Sequence, residues 1–348
     1  MKSQTKRRNS RILILVGIMM ITFFTLSVEG AFNVAQAFNW GDKKGKGQCL
    51  KPKRDQKRPV AFSQAINCGD TIEPGQKVRL KRDLNCAKTD FEAAITVIGP
   101  AVLDLNGYTI TGNGSMDGIV VQGEKAEIKN GKVTACNKGV VLQGEGVDGH
   151  HRIFKILSIE NNNDGFAVES DKNKLSHNRS VGNVQEGFDV QGHDNLLERN
   201  IAMKNSDKGF EIDGNKNKVR FNKAEANKYD SFEIGGDENR IVYNISKNNE
   251  NKGIEINGDL NFIAKNKSIN NAGVGIEVDG DENKVRRNIL KNNGRVGIEL
   301  LMYAETNVLA RNIAKGNAEF DLQDDNEACE GNRWGNNRFD TSSQDCIH

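Results

Sequence analysis

Gly209-Phe210-Glu211-Ile212-Asp213-Gly214-Asn215-Lys216-Asn217-Lys218-Val219-Arg220-Phe221-Asn222-Lys223-Ala224-Glu225-Ala226-Asn227 is one turn of a pattern that runs through most of the chain. Its opening phrase is a glycine, an apolar residue, any residue and a second apolar residue. The phrase starts at Gly165, Gly187, Gly209, Gly253, Gly275 and Gly297, and once with Ser231 in the glycine's place. Successive starts are 22 residues apart. A fixed period of roughly 20–50 residues marks a solenoid, in which each coil touches only its neighbours. The two apolar residues of each phrase, such as Phe188 with Val190 or Ile254 with Ile256, are two positions apart. They therefore share one face of a short strand.

Three rows of asparagine follow from the same alignment. One runs from Asn173 to Asn307, the second from Asn178 to Asn312, the third from Asn183 to Asn317. Asparagine tolerates left-handed backbone and bonds nearby main-chain groups, so the rows read as corners. Stacked coils would hold equivalent amides about 4.8 Å apart, close enough to bond along the stack. Three corners per coil with short strands between them predict an all-β, three-sided parallel β-helix. A leucine-rich repeat is excluded, because no fixed leucine positions or helical arc accompany the period.

Working outward, 1–37 reads as an export signal. Lys2, Lys6, Arg7, Arg8 and Arg11 precede the apolar run Ile12–Leu26, and Ala35-Gln36-Ala37 offers a cleavage site. An uncleaved membrane anchor is the alternative; either way the repeats lie outside the cytoplasm. Residues 38–60 form a basic linker, with eight Lys or Arg against Asp42 and Asp55. It reads first as a solvated tether, and the alternative is that it engages an anionic surface. Few aromatics accompany its charges, which argues against nucleic acid. An N-terminal cap is expected over 61–93, the solenoid over 94–318 and a C-terminal cap over 319–348, where Phe320 and Leu322 keep the strand phase. In an exported chain the six cysteines suggest disulfides. Cys68–Cys86 and Cys329–Cys346 would brace the two ends, leaving Cys49 and Cys136 as a remainder.

The phrase Leu103-Asp104-Leu105-Asn106-Gly107-Tyr108-Thr109-Ile110-Thr111-Gly112, followed by Asn-rich coils, resembles the right-handed parallel β-helix superfamily. The resemblance is to its pectate-lyase-like group, in particular the carbohydrate-binding and sugar-hydrolase repeat type, over Asp70–Asp340. It implies the fold and a carbohydrate partner. The Asn-Thr-Asp, Asp-Asp and Gly-His-Gly set of polygalacturonase-like hydrolases finds no match, nor does the Tyr-Gly-Phe-Asp-Pro-His phrase of alginate epimerases.

Three sites are candidates. Between the paired apolar residues lies an outward acidic row, Asp189, Glu211, Glu233, Glu255, Glu277 and Glu299, with Glu169, Asp213 and Asp279 beside it. Neighbouring carboxylates about 5 Å apart repel by on the order of 1 kcal/mol in water, so such a row raises carboxyl pKa values or gathers cations. Glu211, Glu233, Glu255 and Glu277 are the candidate ligands of a Ca²⁺ ion. Equivalent acids offer no distinct acid and base, which weighs against catalysis there. The second candidate is Arg199, Phe221, Tyr243, Lys265 and Arg287, which share one repeat position and would stack two aromatics between cations. Aromatic faces suit sugar C–H faces and cations suit acidic groups. The third is the insertion Gly144–Arg152, whose Asp148, His150 and His151, with Glu233 of the row, are the candidate catalytic residues. Sequons at Asn178, Asn244 and Asn266 fall in a structural row, and Asn113 is the exposed one.

The reading is an exported β-helix that binds extracellular or cell-envelope polysaccharide without turning it over. A polysaccharide-active enzyme, hydrolase before lyase, and a structural or adhesive protein are the alternatives. The regular coils leave no room for the long loops that wall a catalytic groove.

Overall fold

The computed structural model describes residues 65–348. The export signal, the basic linker and Cys49 lie outside them. The expected solenoid is present, and each coil supplies strands to three faces. Face 1 holds twelve parallel strands, from Thr71–Ile72 to Leu322–Asp324. Face 2 runs from Lys77–Arg79 to Arg333–Gly335, and face 3 from Leu84–Asn85 to Ile313–Lys315. Glu127–Thr134 and Arg152–Ile159 pass unbroken round the corner between faces 2 and 3. Residues 71–85, expected to cap the solenoid, are already paired in register with the following coil. Among the described residues no helix is long and apolar enough to cross a membrane.

The 22-residue period becomes register. Phe166 pairs with Phe188, Phe188 with Phe210, and Phe210 with Phe232. Their rings stack inside the coils with centroids 4.6, 4.7 and 4.8 Å apart. Ile254, Ile276 and Ile298 continue the column, all fully buried. Burying each such side chain contributes about 1.5–3 kcal/mol. Opposite the column the backbones close in. A Cβ on Gly209 would lie 2.6 Å from the Ser231 carbonyl and 2.8 Å from Ala224 Cβ, so the phrase needs glycine. Ser231 takes the position once, and its Oγ accepts a bond from Asn249 Nδ2 at 2.9 Å.

The corners refine the expectation about asparagine. The left-handed residue is the one before each Asn: Lys172 at φ 56°, His177 at 58°, Phe221 at 58°, Tyr243 at 60°. That conformation costs a non-glycine residue about 1–2 kcal/mol. It turns the Asn side chain inward, where the second and third rows form amide ladders. Asn200 Nδ2 donates to Asn222 Oδ1 at 3.1 Å and Asn205 Nδ2 to Asn227 Oδ1 at 3.0 Å. In the first row the amides do not bond one another. The backbone N–H donates to the next Asn, as from Asn195 to Asn217 Oδ1 at 2.8 Å, and Nδ2 where paired donates to a backbone carbonyl, as from Asn217 to Gly192 at 3.0 Å.

Both expected disulfides form, Cys68–Cys86 and Cys329–Cys346. Among the described residues, which do not include Cys49, Cys136 is a free, fully buried thiol. Burial pushes its pKa up to about 12. In the tail Leu322 is buried but Phe320 is 37% exposed, so the strand phase is carried by Leu322 and Asp324 instead. Asp324 is buried because Trp334 Nε1 donates to it at 2.7 Å.

Candidate functional site

The corner between faces 2 and 3 presents the second candidate row. Because its residues are left-handed, their side chains leave the coil while the following Asn enters it. Phe221 and Tyr243 are 45% and 43% exposed and stack at 5.0 Å, 14° from parallel. The Arg199 guanidinium lies 5.6 Å from the Phe221 centroid and Lys265 Nζ 4.8 Å from that of Tyr243. Lys265 also donates to the Tyr243 hydroxyl at 2.5 Å. Arg287 follows on the next coil. The five residues are thus brought together in the predicted order. Lys155, His177 and Arg311 extend the row at the same left-handed position. The sequence reading missed them, although the period points to each.

Face 1 carries the acidic row in register, Glu211 against Glu233, Glu255 and Glu277 in turn. Its members are not equivalent. Lys208 bridges Glu211 and Glu233, reaching the latter at 2.7 Å. Lys252 bridges Glu255 at 2.7 Å and Glu277 at 2.5 Å. Arg295 lies 3.6 Å from Glu299, and Lys138 3.2 Å from Asp164. Lys138, Lys208 and Lys252, with the acids Asp164, Glu186 and Asp230, occupy the position just before the phrase start, and Arg295 lies one residue further back. The charged run at that position, from Lys138 to Lys252, is readable from the period.

Two carboxyl pairs result. Burial, and then a hydrogen bond shared with Asp164, pushes Glu186 up to about 8. Burial, and then the bond shared with Glu255, pushes Asp230 up to about 7. Burial opposes the reverse shift at Glu255, but bonds from Asp230 and Lys252 prevail and hold it low. Asp189 is pushed up to about 7 by burial, then by the charges of Asp164 and Glu211. The face therefore does contain distinct acids and bases, contrary to the reading of a uniform row. Carboxylate oxygens converge within 4.8 Å in two sets, Asp189 with Glu211 and Asp213, and Asp230 with Glu233 and Glu255. Glu277 belongs to neither, and the lysines divide the expected continuous cation row into these separate sets. Hard oxygen ligands of this kind suit Ca²⁺.

The insertion Gly144–Arg152 does not assemble with the row. Asp148 is half-buried and pairs with Lys172 at 2.8 Å and His150 at 3.7 Å. The Lys172 bond foremost holds its carboxyl below the usual range. His151 is fully buried. Its Nδ1 accepts the Ala126 N–H at 3.1 Å, and its backbone N–H donates to Asn173 Oδ1 at 2.9 Å. Burial drives its pKa down to about 4, so it is a neutral structural residue. Glu233 lies four coils away, roughly 19 Å along the axis.

A family model described as a right handed beta helix region matches residues 93–244. Residues 65–348 have the right-handed parallel β-helix fold. Among solved structures the β-helix is similar to the periplasmic alginate epimerase AlgG, with 15% identity, a TM-score of 0.55, and 73% of this chain and 75% of that one covered. It is also similar to the A-module of the Azotobacter vinelandii mannuronan C-5 epimerase AlgE6, with 13% identity, a TM-score of 0.54 and coverage of 79% and 91%. A third is a tailspike protein double mutant of E. coli bacteriophage HK620 in complex with pentasaccharide, with 10% identity, a TM-score of 0.54 and coverage of 78% and 58%. By sequence, no curated protein matches the chain. At these identities the likeness establishes the fold, and the chemistry rests on this β-helix's own residues.

Proposed function

We propose that the β-helix is an exported, non-catalytic binder of extracellular or cell-envelope polysaccharide, and that the corner row Arg199, Phe221, Tyr243, Lys265 and Arg287 is its ligand platform. The observation that carries this reading is the exposed Phe221–Tyr243 stack with a cation over each ring. Exposed aromatic faces next to cations offer a sugar both C–H contact and charge pairing. Solved β-helices that act on alginate or hold an oligosaccharide support the carbohydrate class. The two disulfides fit an oxidising, exported setting. The test is retention on a panel of neutral and acidic polysaccharides, assayed in parallel for released reducing ends, with and without Ca²⁺. Retention without product, weakened by replacing both Phe221 and Tyr243 with Ala, is the expected result. No retention on any glycan would sink the reading.

One observation favours a second reading, a polysaccharide-active enzyme working on face 1. Asp230 is pushed up to about 7 while Glu255, whose carboxylate lies within 4.8 Å of it, is held low, which is the difference acid–base chemistry requires. Product release abolished by both Asp230→Asn and Glu255→Gln would establish this reading over the first.

A further inference from the structure

We propose that the ligand is a polyanionic polysaccharide lying parallel to the solenoid axis across faces 2 and 3, with the Arg199–Arg287 corner as its centre line. The inference rests on the polysaccharide reading and names the class of glycan. Its basis is how charge is divided between the faces. At the outward strand positions of faces 2 and 3 between Arg152 and Lys315, the only carboxylates are Glu198 and Glu225. Both are already taken. Glu198 accepts from Arg199 at 2.6 Å and Arg220 at 2.8 Å, and Glu225 from Lys223 at 2.5 Å.

The cations around them are of another kind. Lys218, Lys267, Lys284, Arg287 and Arg311 are exposed and have no ion pair among the described residues. Lys218 and Lys284 flank the corner on face 2, and Lys267 flanks it on face 3. Other acids sit on face 1 with lysines of their own and in the turn between faces 1 and 2, where Glu238 pairs with Lys216. Each coil adds cations at the pitch of the phenylalanine column, 4.6–4.8 Å. Like charges at that pitch repel one another, and a linear polyanion relieves the repulsion while releasing its own counterions. A path along the axis stays on cations from coil to coil. A path round one coil runs off them onto the acids of face 1. A neutral glycan would leave the array unpaired. A nucleic acid would want separated aromatic platforms for its bases, whereas Phe221 and Tyr243 are closed on each other at 5.0 Å.

The experiment compares polygalacturonate with its neutral methyl ester and with single-stranded DNA, each titrated into the protein at low and high salt. A Lys265→Glu, Arg287→Glu double variant is run beside a Lys204→Glu control, which lies at a different corner. Far-UV circular dichroism confirms that each variant is folded. The expected result is polygalacturonate bound at least about tenfold more tightly than the ester, with affinity falling steeply in salt. The double variant should lose about tenfold or more and the control should match the wild type. Ester bound as tightly as polygalacturonate would overturn the polyanion class and leave the polysaccharide reading standing. Binding of neither glycan would remove both. DNA bound more tightly than polygalacturonate would assign the surface to nucleic acid and overturn the proposal.

Discussion

Replacing Asn222 with alanine severs four side-chain hydrogen bonds at once. Its Oδ1 accepts the Asn200 backbone N–H at 2.8 Å and Asn200 Nδ2 at 3.1 Å. Its Nδ2 donates to the Leu197 carbonyl at 2.9 Å and to Asn244 Oδ1 at 3.2 Å. Asn200 and Asn222 are both sealed from solvent, so the Asn200 N–H is left without an acceptor. A typical bond is worth about 1 kcal/mol net, and an orphaned buried donor costs about 1–3 kcal/mol, so the loss is about 4 kcal/mol. Asn239→Ala provides the internal comparison. Its side chain makes one bond, accepting the Asn217 N–H at 2.7 Å, and its Nδ2 has no partner. Its loss should be about 2 kcal/mol, since one donor is orphaned and little else changes. Urea denaturation followed by circular dichroism measures both, with the slopes compared because a solenoid can open coil by coil. Equal losses, or a greater loss at Asn239, would refute the claim that bonds along the ladder stabilise the stack.

Three further outcomes follow from burial and charge. Asp230 is nearly sealed from solvent and titrates near 7, against 3.8 for the unperturbed group. The folded state therefore keeps a proton that the unfolded state has lost, so this contribution is full below about pH 4 and disappears as pH rises to about 7. At about 1.4 kcal/mol per pKa unit its ceiling is about 4 kcal/mol, reduced by the opposite shift at Glu255. Urea midpoints measured from pH 4 to 8 should decline in the wild type and less in Asp230→Asn, and an unchanged slope in the variant would contradict the shared proton. Cys136 should resist thiol reagents in the native protein and react only on unfolding, since its thiol is buried and its pKa is about 12; rapid native labelling would show that the site opens. Phe210→Ala should cost about 3–5 kcal/mol in urea unfolding, because Phe188 and Phe232 hold the cavity open on either side. A loss below about 1 kcal/mol would mean that the column can collapse.

The fold was legible because its cause is repetitive. One misread coil cannot hide a 22-residue period, and the apolar pair at Phe188 and Val190 states both strand and face. The disulfides were legible for a related reason, since the solenoid's ends are where bracing is needed. The corner row could be read because a shared repeat position becomes contact in a stack. What escaped was interaction between positions within a coil. Lys208 precedes Gly209 in sequence and belongs to no strand, yet it reaches two glutamates on successive coils. That contact breaks the apparent equivalence of the acidic row. His151 escaped because a histidine in an insertion reads as exposed, whereas the loop folds its ring under the Ala126 N–H. The insertion is a turn that closes on the solenoid, with Asp148 bridged to Asp171 of the next coil, and it forms no wall to a cleft.

The central claim is that the Phe221–Tyr243 corner binds polysaccharide. Isothermal titration of one retained polysaccharide into wild-type protein and into a variant with Ala at both 221 and 243 tests it most directly. Stacking contacts of this kind are worth on the order of 1 kcal/mol each, so the account predicts at least about a tenfold loss of affinity in a variant that remains fully folded. Undiminished affinity in that variant would contradict it.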